Sequence, residues 1–445
     1  MNVAVMKTKA EQGLSEAFEA ASGKLPGGPA VKAARAEAMG RFASLGLPHR
    51  RIEEWKYTDL RVNLKDIAAP AIDDATAVTE ADLISALGPL AAIDASRIVF
   101  VNGRCRPDLS NLTSANAIDV KPLAGALAAA PDTIATGLMR ATGPAGDATI
   151  VLNTAFVTDG AVVRIASGVT LAKPLLVVFM QAGSAAQLTS VRNVIAAGDR
   201  SSATLIEAHV AAPGASAGGQ TNALTELTVG TGATLAHIKV AAGGGKGVHL
   251  ANWNVSLGTE AVYRGFQYTS GHSLVRNQIH AVYAGQGGKL DLSGAYLARG
   301  SEHVDTTLVV DHAVPHCESR ELFKGVLDGR GRGVFQGKII VRPGAQKTDG
   351  KQMAQALLLS PDAEFDSKPE LEIYADDVVC GHGTTSAELD PGMLFYCKSR
   401  GIPENEARAL LIESFVGEAL DKVEHPELRS ALQSLASTWL DAPRS

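Results

Sequence analysis

The hydrophobic period of the chain changes twice. Over residues 1–95 apolar positions recur at helical spacing, first at Leu14, Phe18 and Ala21, then at Val31, Ala38, Phe42 and Leu45. Gly27-Gly28-Pro29 breaks the two runs, and a further short helix is predicted after Thr79, whose Glu80 and Asp82 suit the positive end of a helix dipole. Over residues 96–385 the period shortens to that of strands. Runs such as VVRIA, LLVVFM, TLIEAHV, TLAHIKV and GVFQGKIIV are separated by Gly, Asp, Asn and Ser, and no helix of ordinary length fits between them. Over residues 386–445 helices return. Pro391 starts one that stops at Arg400-Gly401; Pro403 opens a second with Ala407, Leu411, Phe415 and Ala419 on one stripe; Pro426 opens a third carrying Leu428, Leu432, Leu435 and Trp439.

The strand-rich region is also periodic on a longer scale. Units of turn followed by strand begin near Ala203, Ala233, Ala261 and Lys289, about 28 to 30 residues apart, and units near Gly333 and Ala363 continue the series. That period belongs to solenoids and propellers. Propellers are disfavoured because no Trp-Asp pair recurs and the chain has 3 Trp in all. A stack of β coils needs small residues at its corners and few aromatics in its thin core, which suits a chain with 45 Gly and 5% aromatics. The expected fold is mainly β, a parallel β-helix core between helical N- and C-terminal segments.

Composition removes several functions. The net charge of −6 argues against a nucleic-acid-binding face. The best apolar run, Pro174 to Met180, is far shorter than the ~20 residues a membrane helix needs. The N-terminus lacks the apolar stretch of a secretory signal, and Cys105, Cys317, Cys380 and Cys397 are widely spaced, so a reducing cytoplasm is expected. Gly214-Ala-Ser216-Ala-Gly218 lacks the strand–turn–helix setting of a nucleophile elbow. No Ser or Thr follows Lys246 in the glycine run at 243–247 to hold magnesium, and Gly329-Arg-Gly331-Arg-Gly333 precedes a strand rather than a helix.

Two places can carry chemistry. His312, His316 and Cys317 lie close together, but without a fourth ligand they read as a turn set by Pro315. Cys380-Gly381-His382-Gly383-Thr384-Thr385 is the stronger candidate. On a strand, positions 380 and 382 share a face, so thiol and imidazole stand side by side, where they can hold iron or sulfur or pass a proton. Two ligands do not complete an iron site, so a partner chain must supply the rest.

These residues carry a family resemblance. Arg51 to Leu60 (RIEEWKYTDL), His303 to Leu327, Ala345 to Thr385 and Leu394 to Ile402 resemble the scaffold proteins of the Suf iron–sulfur cluster assembly system, and the Cys380-Gly-His382-Gly segment is similar to the SufD branch rather than the SufB branch. The resemblance implies a right-handed parallel β-helix and a non-catalytic scaffold subunit that pairs with SufB through the β-helix. It implies docking of the SufC ATPase on the C-terminal helices, with Leu411, Phe415 and Ala419 as the candidate surface. A plain cap, in which the stripe packs on Leu432 and Trp439, reads those helices equally well. It further implies that His382, with Cys380 beside it, faces a transient iron–sulfur cluster shared with SufB, that no cofactor is held stably by this chain alone, and that there is room for a reduced flavin in the complex or a homodimer of the isolated chain. Two other readings compete: a purely structural partner of SufB without a ligand role, and a carbohydrate-active β-helix enzyme. The second predicts secretion and a groove of paired carboxylates, for which the late coils offer only Asp376-Asp377.

Overall fold

The computed structural model describes residues 7–72, 76–112, 117–144, 146–243 and 245–442. Residues 1–6, on which the reading of the N-terminus partly rests, and Gly244 of the glycine run lie outside them. From Ala161–Ile165 to Val379–Ala387, successive strands alternate between two sheets. Within a sheet each strand pairs in parallel with its equivalent one coil on, giving a β-solenoid of about eight turns.

The register is continuous, so side chains one coil apart form columns. One inward column runs Ala203, Leu235, Tyr263, Leu290, Ser319, Gly350, Cys380, and the next runs Leu205, His237, Gly265, Leu292, Glu321, Gln352, His382. Inward Leu235, Tyr263, Leu290 and Leu292 meet Trp253, Ile279, Leu308 and Phe335 of the opposite sheet in the solenoid's core. The units read near Ala203, Ala233, Ala261 and Lys289 all lead into strands of one sheet. Those near Gly333 and Ala363 start Arg332–Val341 and Glu364–Ile373 of the other, which is why they fall out of step with the first four.

Three short helices, Leu123–Ala129, Asp132–Met139 and Ala148–Phe156, occupy a stretch expected to hold only strands. The last is buried on nearly every side, so it shows no amphipathic stripe for the sequence to reveal. Asp147 caps it by accepting from the amides of Thr149 and Ile150. The N-terminal helices Lys9–Ala21 and Pro29–Leu45 lie where the apolar spacing puts them, and Thr79 with Asp82 forms a capping box on Glu80–Leu87.

The two ends of the solenoid differ. At the N-terminal end, Ile118–Pro122 and Arg104–Cys105 add antiparallel strands that finish the two sheets. At the C-terminal end, Glu364–Ile373 and Val379–Ala387 each pair on one side only. The C-terminal helices Pro391–Ser399, Glu404–Leu420 and Pro426–Asp441 do not cover that end. Ile412, Val416, Leu428 and Leu432 instead pack on the outer face of one sheet, against Ile238, Val240, Phe266 and Leu297.

Candidate functional site

The open coil carries the predicted pair. Cys380 and His382 lie in Val379–Ala387 and continue inward-facing columns, so both point to the inside of the solenoid. Cys380 is half-buried against a small cluster of Ile339, Val341, Ala345 and Ala375. His382 is exposed because no further coil follows it. Gly381 leaves open space beside its backbone, whereas a Cβ at Gly383 would come within 2.7 Å of the Met353 methyl. Burial pushes the Cys380 thiol up, the Gly350 amide works against this, and the neighbouring Asp349 and Glu321 carboxyls add to the rise. The last coils expose apolar side chains, Met353, Ile373, Tyr374 and Val379, the last 61% exposed; Met353 and Val379 have the parity opposite to Cys380 and His382 and face outward.

Among the described residues no three His, Cys, Asp or Glu side chains come together to hold a metal ion. Cys380 and His382 share the inward face of one strand, two residues apart. The other candidate cluster resolves into a turn. His312 is buried, stacks on Tyr283 at 4.6 Å, meets Ser319 Oγ at 3.1 Å through Nε2, and burial pushes its pKa down to about 4. His316 takes a positive φ of 63°, and the Cys317 thiol is buried, 3.6 Å from the Gly285 carbonyl. All four cysteines are free.

The C-terminal stripe is divided. Ala419 is fully buried and serves packing, while Leu411 and Phe415 are half-buried. The Lys324 ammonium sits 4.4 Å from the Phe415 ring centroid and pairs with Glu418, tying the helix to the solenoid. The exposed apolar residues of these helices are others: Met393, Phe395, Tyr396 and Leu410, with Phe395 73% exposed. No helix among the described residues is long and apolar enough to cross a membrane.

Two interior polar groups escaped the sequence reading. Midway along the solenoid, buried Glu207 accepts from Thr225 Oγ1 at 2.9 Å and pairs with His209 Nε2 at 2.6 Å and His237 Nε2 at 3.3 Å. Nearby Lys239 donates to Asn277 Oδ1 at 2.8 Å, and burial pushes its pKa down to about 7. Closer to the open end, Glu321 and Gln352 precede His382 in its column. Their signal was the inward parity they share with Tyr263 and Leu292, which becomes readable only once the register is known.

Comparison with known proteins agrees over residues 9–415. Residues 179–415 match the family described as SUF system FeS cluster assembly, SufBD core domain, and residues 9–177 match the SufBD protein N-terminal region. An iron–sulfur cluster assembly SufBD family protein of Synechocystis is 30% identical over 89% of this chain and 88% of its own length. The iron–sulfur cluster assembly protein SufD of Escherichia coli is 29% identical over 86% of this chain and 87% of its own. A SufBD family protein of Mycobacterium tuberculosis is 34% identical over 49% of this chain and 57% of its own. With residues 9–177 and 179–415 both matched, this protein belongs to the SufBD family of the SUF iron–sulfur cluster assembly system.

Proposed function

We propose that this chain is a SufD-type, non-catalytic scaffold subunit of the cytoplasm, on which a nascent iron–sulfur cluster forms across a joint with a SufB chain. The observation that carries the reading is the open C-terminal coil. Its two strands each have an unpaired edge, the last coils expose apolar side chains, and among the described residues its inward thiol and imidazole join no three-residue metal-holding group. An uncovered edge beside exposed apolar side chains favours a second β-solenoid laid against it. Iron and sulfur are cargo here. A cation close to Cys380 favours its thiolate, and His382 offers a lone pair to iron or a site for a proton.

The ATPase partner, SufC, docks on the C-terminal helices through the exposed Met393, Phe395, Tyr396 and Leu410, with half-buried Leu411 and Phe415 at the margin. Because these helices also grip the solenoid through Lys324, nucleotide-driven movement of the ATPase reaches the scaffold, and an open joint needs only two arrangements a few kcal/mol apart. The test is co-expression of a tagged chain with its SufB and SufC. Recovery of a three-component complex supports the reading; a chain that elutes alone removes it. Because Cys380 is half-buried and protonated, a purely structural role beside SufB is the second reading, and loss of cluster on replacing His382 excludes it.

A further inference from the structure

The interior just behind the open coil contains buried polar oxygens outside hydrogen-bonding geometry. Glu321 is 3% exposed, and neither of its carboxyl oxygens meets a donor at hydrogen-bond geometry. The Ser319 hydroxyl is a neighbouring donor that acts against burial on this carboxyl, and it also meets His312 Nε2 at 3.1 Å. Gln352, in the next coil, is equally buried; it donates Nε2 to the Gly337 carbonyl at 3.3 Å and leaves Oε1 without a partner. Buried oxygens without donors are rare in folded proteins and ask for an explanation such as water, an ion or a reactive role. Glu321 and Gln352 are consecutive in one column, with His382 next and exposed at the mouth.

The surroundings are shaped for this column. The side chain below Glu321 is Leu292, fully buried, so the polar stretch has an apolar floor. Across the lumen, a Cβ at Gly337 would stand 2.3 Å from Gln352 Oε1, so the glycine makes room for the amide. Beside the column, Gly350 separates Cys380 from Ser319, leaving no side chain between the two coils at that position. Neighbouring strands are ~4.8 Å apart, so Glu321 and Gln352 are adjacent, and one coil lies between Gln352 and solvent.

We infer that Glu321 and Gln352 form an inner seat for ferrous iron, entered past His382 and completed by water. Orphaned acceptors require a donor or a cation. A carboxylate and an amide oxygen are hard ligands that suit a divalent ion of the Mn–Fe type over a soft one, while the imidazole at the mouth suits iron passing through. The seat uses one carboxyl, one amide and water. Burial pushes the Glu321 carboxyl up to about 8, so at neutral pH it holds its proton. Binding is then an exchange: the carboxyl gives one proton to solvent and the carboxylate takes the ion, with no change of oxidation state. The inference rests on iron being the cargo of this chain, as proposed above.

The probe is ferrous ion alone, titrated anaerobically at pH 7 into the chelator-treated full-length chain, with equilibrium dialysis for binding and a pH indicator for protons. The expected result is about one ion bound with release of about one proton. Glu321→Gln, which keeps the side chain's size, is expected to weaken Kd at least tenfold and to abolish the proton release. Gln352→Met, an independent variant that removes only the amide, is expected to weaken Kd as well, with each melting curve checked against the parent. Unchanged ferrous binding in either folded variant overturns the inference, as does a parent chain that takes up no ferrous ion at millimolar concentration. Failure of the chain to co-purify with SufB and SufC removes the proposed function instead, and leaves this titration to stand by itself.

Discussion

The indole of Trp55 lies over the guanidinium of Arg276, with 4.4 Å from Cζ to the ring centroid. Arg276 is itself buried in an ion pair with Asp305 and donates to the Glu54 carbonyl at 2.6 Å. Thr58 donates to the same Asp305 carboxylate oxygen. The segment from Arg51 to Leu60 is thus a clasp that fastens the N-terminal helices to the outer face of one sheet. Each buried charge in it is matched, so removing one member leaves the others uncompensated.

Trp55→Ala should therefore destabilise the chain by about 3–5 kcal/mol, the usual range for truncating a buried aromatic, because it empties the ring's site and strips Arg276 of its cation–π partner. The check is a urea unfolding curve. A midpoint within error of the parent's would mean that the clasp does not hold the fold.

Glu321 gives the chain a pH dependence of defined sign. Burial places its folded pKa at about 8, above the unfolded value of about 4.3, so the folded chain binds this proton more tightly than the unfolded chain does. The stability it contributes is complete below the unfolded pKa and is lost as pH rises through that window to about 8. Relative to Glu321→Gln, the parent should lose up to about 1.4 kcal/mol per pH unit across the window. Parallel stability curves for parent and variant between about pH 5 and 8 would contradict the assignment.

Phe395 projects from a helix with no buried residues, Pro391–Ser399, so its exposure is unexplained by packing within this chain. Phe395→Asp is expected to leave the melting temperature of the isolated chain within about 2 °C of the parent, as a surface change should. It is also expected to abolish recovery of the ATPase while SufB is retained. Undiminished ATPase recovery would move the docking surface elsewhere.

The sequence disclosed the solenoid because its coil length repeats and its strands alternate, and it disclosed Cys380 and His382 because two residues on a strand share a face. It could not disclose which way that face turned: inwardness follows from the register with Gly350 and Gln352, a long-range property. Glu321 was invisible for the same reason, being an unremarked acid in a charged run until its column was known. Ala419 shows the opposite failure. Its stripe was correctly helical, but periodicity does not say whether a stripe meets its own chain or another, and at Ala419 it meets its own. The helix Ala148–Phe156 went unread because burial on all sides erased its period.

The most direct test of the central claim is the iron and acid-labile sulfide content of the anaerobically isolated complex with SufB and SufC, compared between the parent chain and His382→Ala. His382 is exposed at the open coil, at the end of its column, so the variant should assemble into the complex at parental yield. The account predicts that this intact complex loses most of its iron, its sulfide and the visible charge-transfer absorption of a cluster. An intact His382→Ala complex with undiminished cluster would contradict it, and would leave this chain a structural companion to the subunit that does the binding.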